Sequence, residues 1–173
     1  MPIKETGRWH TLHIVLFQPE IPPNTGNIVR LCAATQTPLH LIEPLGFSLE
    51  DRYLRRAGLD YWPYVNLAVW PDLAAYLGGP GQERRLIATS AKGGQPVHRT
   101  DFTGQDSLLF GPETRGLPDP VLDMAACRVC IPQCANTVRS LNLSTAVGII
   151  LYQALACCGA LDAWPPNSHP AKV

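Results

Sequence analysis

Apolar and polar positions along this chain fall into blocks, and the longest apolar block lies near the C-terminus. From Ser140 to Leu161 there is no charged residue. Within that run Leu143, Ala146, Val147, Ile150, Leu151, Ala154, Leu155 and Cys158 repeat at i, i+3, i+4, i+7 spacing, which predicts a helix. The opposite side, with Gly148, Ile149, Tyr152 and Ala156, is also largely apolar. Such a helix is expected to be covered twice, by its own core and by a second subunit. Asn142, Ser144, Thr145 and Gln153 interrupt the run and no basic flank follows, so a membrane span is not expected.

Upstream, short apolar runs alternate with helical segments. Strands are expected at residues 12–17, 39–42, 64–69, 85–89, 108–110 and 127–131. A helix is expected over 27–35, with Ile28, Leu31 and Cys32 inward and Asn24 or Thr25 as its cap, because two of the prolines of QPEIPPNTGN, Pro22 and Pro23, delay its start. Further helices are expected over 50–57 (stopped by Gly58), 72–77 (closed by Gly78 and Gly79) and 118–124. Residues 1–11 read as a loose extension and 164–173 as a flexible tail. Strands that read as continuous apolar runs between helices imply an α/β fold, a parallel sheet flanked by helices, as a single domain over 1–173.

Charge narrows the partners. Lys and Arg total 14, as do Asp and Glu, so the net charge is zero. That argues against bulk nucleic-acid binding but leaves room for a local basic patch. Arg115 and Arg139 lie in polar loops, and Arg52, Arg55 and Arg56 share one helix face, as either a solvated face or an RNA contact. The six cysteines are too sparse for a disulfide scaffold, and Cys127 and Cys130 lie in an apolar strand without a second ligand pair for zinc. Reduced thiols, no metal and a cytoplasmic location are expected, with no secretory signal in residues 1–11.

In an open parallel sheet, ligands bind where loops leave the C-terminal ends of strands. Here those loops are QPEIPPNTGN, SAKGG, GPETRGLP and QCANTVRSLNLS. None contains a dinucleotide-binding or P-loop glycine signature, a nucleophile elbow or a zincin motif. The five histidines do not cluster in sequence, and His40, between Leu39 and Leu41, reads as structural.

Taken in order, EIPPNTGNIVRLCAAT, LLFGPETRGLP, and IP followed by RSLNLSTAVGIILYQA resemble the three motifs of the SPOUT RNA methyltransferases. The match is closest to the wobble-position tRNA 2′-O-methyltransferase family, and HLIEPLGF and DRYLRRAGLDY resemble its intervening segments. The resemblance implies a C-terminal trefoil knot, a homodimer, S-adenosylmethionine (SAM) as methyl donor and tRNA, not DNA, as partner. By motif position it implies that Thr89, Gly111, Ile131, Ser140 and Leu141 hold the cofactor. It assigns catalysis to Arg30, Asn24, Glu113 and Ser140, and RNA contact to Arg30, Arg115, Arg139, Asn142, Tyr152, Arg55 and Arg56.

Each assignment has a plainer alternative. A guanidinium has donors and no acceptor, so Arg30 would stabilise the developing oxyanion or an adjacent phosphate, unless it is an ordinary surface arginine. Asn24 either orients the ribose or phosphate or caps the helix; Glu113 either braces Asn24 or is a solvated loop carboxylate. Gly111 is a close-approach or a turn glycine, Ile131 a ligand wall or core, and Tyr152 a site, dimer-seam or core residue. Ser140 or Asn142 can cap the last helix. Thr89 is smaller than the apolar residue usual there, QCANTV is one residue longer than the pattern it resembles, and the tail lacks basic residues found in some relatives. The rival functions are 2′-O-methylation of ribosomal RNA, a non-catalytic RNA-binding protein on the same scaffold, and a small-molecule α/β enzyme using another nucleotide.

Overall fold

The structure is a computed structural model that describes residues 12–50, 61–134 and 138–164. The expected extension, the helix face of Arg52, Arg55 and Arg56, residues 135–137 of the QCANTV loop and the tail beyond Trp164 lie outside the described residues.

Seven strands form one parallel sheet: β1 (His13–Phe17), β2 (Leu39–Ile42), β3 (Leu67–Trp70), β4 (Arg85–Thr89), β5 (Gln95–Pro96), β6 (Asp106–Phe110) and β7 (Cys127–Cys130). Their order is β3-β2-β1-β6-β4-β7-β5. Helices α1 (Pro22–Thr35), α2 (Leu73–Leu77), α3 (Asp119–Asp123) and α4 (Leu143–Cys157) complete the frame, with short 3-10 turns at Trp62–Tyr64, Val97–Arg99 and Leu161–Ala163.

The central strands are apolar on both faces because both faces are covered. Ile14, Leu16, Leu39, Leu41, Ile87, Leu108 and Phe110 join the core formed with α1 and α4. The alternate positions Val15, Ile42, Leu86 and Leu109 pack with Leu73, Tyr76 and Val121 on the other side. Register aligns Leu39, Ile14, Leu108 and Ile87 in one row across four strands. Burying each such side chain stabilises the fold by about 1.5–3 kcal/mol, so this row anchors the sheet.

Three elements differ from expectation. Helix α1 begins at Pro22, earlier than the prolines suggested. Proline is tolerated in a first helical turn because the N–H it lacks would have no intrahelical partner. Asn24 and Thr25 therefore sit inside the helix rather than capping it, and Ile21 occupies the cap position without a side-chain bond. The third strand is displaced to Leu67–Trp70, with the 3-10 turn Trp62–Tyr64 ahead of it. Strand β5 and its following turn were not foreseen; a Cβ on Gly94 would lie 2.6 Å from the Arg128 carbonyl oxygen, so glycine permits that edge to dock.

Helix α4 follows its predicted period. Leu143, Val147, Ile150, Leu151, Ala154 and Leu155 are buried, while Ile149 and Tyr152 on the opposite side are 40% and 45% exposed. Asn142 is its N-cap, its Oδ1 accepting from Ser144 N–H at 2.9 Å and Thr145 N–H at 3.3 Å. No helix among the described residues is long and apolar enough to cross a membrane.

At the N-terminal edge of the sheet lies a buried polar cluster. Asp106 is wholly buried and accepts a fork from Arg85 at 2.9 and 2.8 Å, plus the Thr103 N–H and hydroxyl, each at 2.9 Å. Ser107 links Arg84 to the Tyr76 hydroxyl, which also pairs with His13 Nδ1. Nearby, Trp70 Nε1 donates to His40 Nδ1 at 3.1 Å. Burial, and then the charge of Arg84, push the His40 imidazole down to about 4.

Candidate active site

Strand order sets the site's position. From β1 the chain moves outward to β2 and β3, then crosses to β4 on the far side of β6. The loops after β1, β4, β6 and β7 consequently open on one edge, at the switch point where parallel sheets bind ligands. A cavity of about 620 Å³ lies there, between these loops and the N-terminal turns of α1 and α4. Asn24, Thr89, Gly111, Glu113, Arg115, Ile131, Arg139, Ser140, Leu141 and Asn142 all line it.

A chain of side-chain bonds crosses the cavity wall. Asn142 commits its Oδ1 to capping α4, so its amide nitrogen faces Asn24 and donates to Asn24 Oδ1 at 2.9 Å. That leaves Asn24 Nδ2 to donate to Glu113 Oε1 at 3.0 Å. Glu113 also accepts the Glu20 N–H at 2.9 Å and the Ile21 N–H at 3.3 Å. The amide orientations are mutually consistent, each acceptor meeting a donor. Both Glu113 oxygens are occupied, so Glu113 braces the start of α1 rather than facing solvent alone. Each asparagine amide keeps a second N–H beyond this chain.

The loops after β1 and β6 are tied by further bonds. Glu20 accepts from the Thr114 N–H at 3.0 Å and hydroxyl at 2.9 Å. The Thr114 hydroxyl, opposed by partial desolvation and aided by the Thr114 N–H and Arg115, holds the Glu20 carboxyl below its ordinary range. Arg115 donates to Gln18 Oε1 at 2.7 Å, and Arg139 to the Thr114 carbonyl at 3.3 Å. Gly111 is required by the turn of its own loop. A Cβ there would overlap the Leu117 nitrogen and lie 2.5 Å from the Gly116 carbonyl carbon, so the loop closes on itself only with glycine.

Two assigned residues lie elsewhere. Arg30 stands on the exposed face of α1, outside the cavity lining, its guanidinium carbon 5.1 Å from the Tyr61 ring centroid. Tyr152 is on the exposed face of α4 and does not line the cavity. Arg55 and Arg56 fall outside the described residues. Of the alternatives left open, Ser140 is not the helix cap, since Asn142 is. Ile131 lies just beyond β7, half-buried, both packed on the core and lining the cavity. Gln18, Glu20, Thr114 and the cavity-lining Ser90 and Lys92 were not singled out, although all lie in the polar loops that were.

The cavity suits a nucleoside-bearing cofactor. Its volume falls within the roughly 300–1,000 Å³ of small-ligand sites. Ile131, Leu141, Leu117 and Ile150 supply apolar walls, with the polar residues Thr89, Ser90 and Ser140 beside them.

The SpoU rRNA Methylase family matches residues 11–152 of this chain. The chain belongs to that family. Among curated relatives, a protein of Methylovorus glucosotrophus (strain SIP3-4) named tRNA (cytidine(34)-2′-O)-methyltransferase is 51% identical over 146 residues, spanning 82% of this chain and 92% of its own. One of the same name from Escherichia coli (strain K12) is 47% identical over 164 residues, spanning 94% and 98%. A solved structure concerned with 2-OH methylation of C/U34 on tRNA aligns with TM-score 0.82 and 47% identity, over 90% of this chain and 99% of that one. The AdoMet complex of the SpoU methyltransferase AviRb from Streptomyces viridochromogenes, at 24% identity and TM-score 0.76 over 90% of this chain and 62% of that one, shares the fold. The SpoU methylase family thus carries, in this member, the braced asparagine pair beside an apolar-walled cavity.

Proposed function

We propose that this protein transfers the methyl group of SAM to the ribose 2′-hydroxyl of nucleotide 34, the wobble position of tRNA, in the cytoplasm. The observation that carries the reading is the near end-to-end identity with relatives named for that reaction, 47% over 94% of the chain in one case. The cavity, sized for a nucleoside-bearing cofactor beside fixed amide donors, supports the methyl-transfer part of the reading.

When bound, SAM supplies an electrophilic sulfonium methyl group. Ile131 and Leu141 would hold its adenosine between apolar walls, Gly111 would keep the loop after β6 folded tightly enough to line the site, and Thr89 and Ser140 would supply polar contacts. The acceptor hydroxyl is a weak nucleophile, so placement and charge stabilisation carry the rate. Asn24 and Asn142 hold their remaining N–H groups toward the ribose or its phosphate, fixed by Glu113 on one side and the cap of α4 on the other. Glu113 acts as a positioning residue, and Arg115 and Arg139 at the rim meet the RNA backbone.

Arg30 faces away from the cavity of its own chain, on the same layer as the exposed apolar stripe of α4. A homodimer packed through this layer, with Ile149 and Tyr152 in the seam, would bring Arg30 to the partner's acceptor. The dimer and a trefoil knot in the C-terminal loops both belong to this proposal.

The test is incubation with labelled SAM and tRNA from cells lacking the modification, followed by digestion to nucleosides. Label in 2′-O-methylcytidine or 2′-O-methyluridine is expected. No transfer to tRNA by protein that binds SAM calorimetrically would refute the reading, and transfer to ribosomal RNA would replace the substrate.

A further inference from the structure

Arg30 is held in an unusual way for a surface cation. Among the described residues its guanidinium has no hydrogen-bond or ion-pair partner, and it lies over the face of Tyr61 at 5.1 Å. Arg115 and Arg139, by contrast, each already donate to a protein oxygen. A carboxylate partner would occupy the guanidinium fork. An aromatic face attracts the flat cation and leaves all its in-plane N–H donors available for a bidentate contact.

The Tyr61 ring is itself well placed for this. Tyr61 immediately precedes the 3-10 turn Trp62–Tyr64 and closes it by accepting the Tyr64 N–H at 2.9 Å. Trp62, inside that turn, and Val65, just after it, pack against the core shared by α1 and α4. The turn thus carries core rigidity to the ring, and the ring to an exposed arginine.

We infer that Tyr61 is the positioning residue for Arg30, orienting its guanidinium plane so that its N–H edge meets the RNA acceptor or its phosphate. This rests on the proposed role of Arg30 in methyl transfer. Tyr61 touches neither substrate nor cofactor, and its effect runs wholly through Arg30.

The experiment measures kcat and KM for tRNA, SAM affinity and melting temperature for Tyr61→Leu, Tyr61→Gln and Tyr61→Phe, each with Arg30 intact and with Arg30→Ala. With Arg30 intact, Leu and Gln should lower kcat/KM by about two- to fivefold, the size of an exposed cation–π contact. Phe, which keeps the ring face, should restore most of that loss. SAM affinity should not move, and in the Arg30→Ala background Leu and Gln should add nothing. Two polar and apolar replacements are used so that a folding defect in one leaves the other to decide. Equal losses with and without Arg30, a Phe variant as impaired as Leu, or losses that follow melting temperature would overturn the inference. Full activity in Arg30→Ala alone would remove the role of Arg30 and that of Tyr61 with it. Absence of transfer by the unaltered protein would instead show, before any variant is compared, that the functional reading has failed.

Discussion

The two edges of the sheet hold polar networks of similar size and different character. At the N-terminal edge Asp106 is wholly buried, and four protein donors converge on it from Arg85 and Thr103. At the C-terminal edge Glu113 and the Asn24–Asn142 pair are also bonded, but they line an open cavity, and each asparagine keeps one N–H beyond the chain of bonds. The first network ties strands β4 and β6 together at their starts. The second fixes the starts of α1 and α4 relative to each other without closing the space between them. A saturated network stabilises; an unsaturated one beside a cavity is arranged for a ligand.

Variants at the two edges should therefore separate stability from activity. The largest effect is expected for Asp106→Ala, which leaves the Arg85 and Thr103 donors without their acceptor and should cost about 3 kcal/mol by denaturant unfolding. Methyl transfer per folded molecule should stay within about twofold, a shift too small to signal lost catalytic placement. A comparable fall in kcat would break the comparison. Asn24→Ala should do the reverse, lowering kcat by about a hundredfold through lost placement while shifting stability by only about 1 kcal/mol.

The His40 imidazole gives a pH test of the buried region. Its folded value, about 4, lies below the ordinary 6.5, so the folded state favours the neutral ring. Stability is complete above pH 6.5 and falls as the unfolded chain binds a proton the folded chain refuses, down to the folded value. The slope from this group should be at most about 1.4 kcal/mol per pH unit, and His40→Gln should flatten it. An unchanged slope in that variant would remove His40 from the account. The smallest effect is expected at Glu20→Gln, which weakens the tie to Thr114 and should lower kcat/KM by about threefold, in line with one modest hydrogen bond. A loss as great as that of Asn24→Ala would mean that Glu20 meets substrate directly.

Much of the fold was readable because parallel strands buried on both faces need apolar centres, as Leu39, Leu41 and Ile42 in LHLI and Leu86, Ile87 and Ala88 in RLIAT supply. The start of α1 is hidden in the sequence because Pro22 and Pro23 suggest a block to helix, whereas a first helical turn accepts them. Strand β5 is too short, at two residues, to leave a periodic signal. Of the site, the loops were evident from their polarity and their resemblance to known motifs. The bonds within them were not, since Glu20 and Thr114 are 94 positions apart and meet only after β1 and β6 pair. Six positions put Arg30 about 120° round a helix from Asn24, but a helix expected to start at residue 27 leaves Asn24 off it, so the separation does not show.

On the proposed function, the open C-terminal edge methylates one ribose of tRNA. The most direct test is to map the label after transfer from SAM, by ribonuclease digestion and mass spectrometry of the resulting fragments. Label is expected on the 2′-oxygen of nucleotide 34, abolished or nearly so in Asn24→Ala and retained in Asp106→Ala. Label on a base, or on a ribose elsewhere in the tRNA, would contradict it.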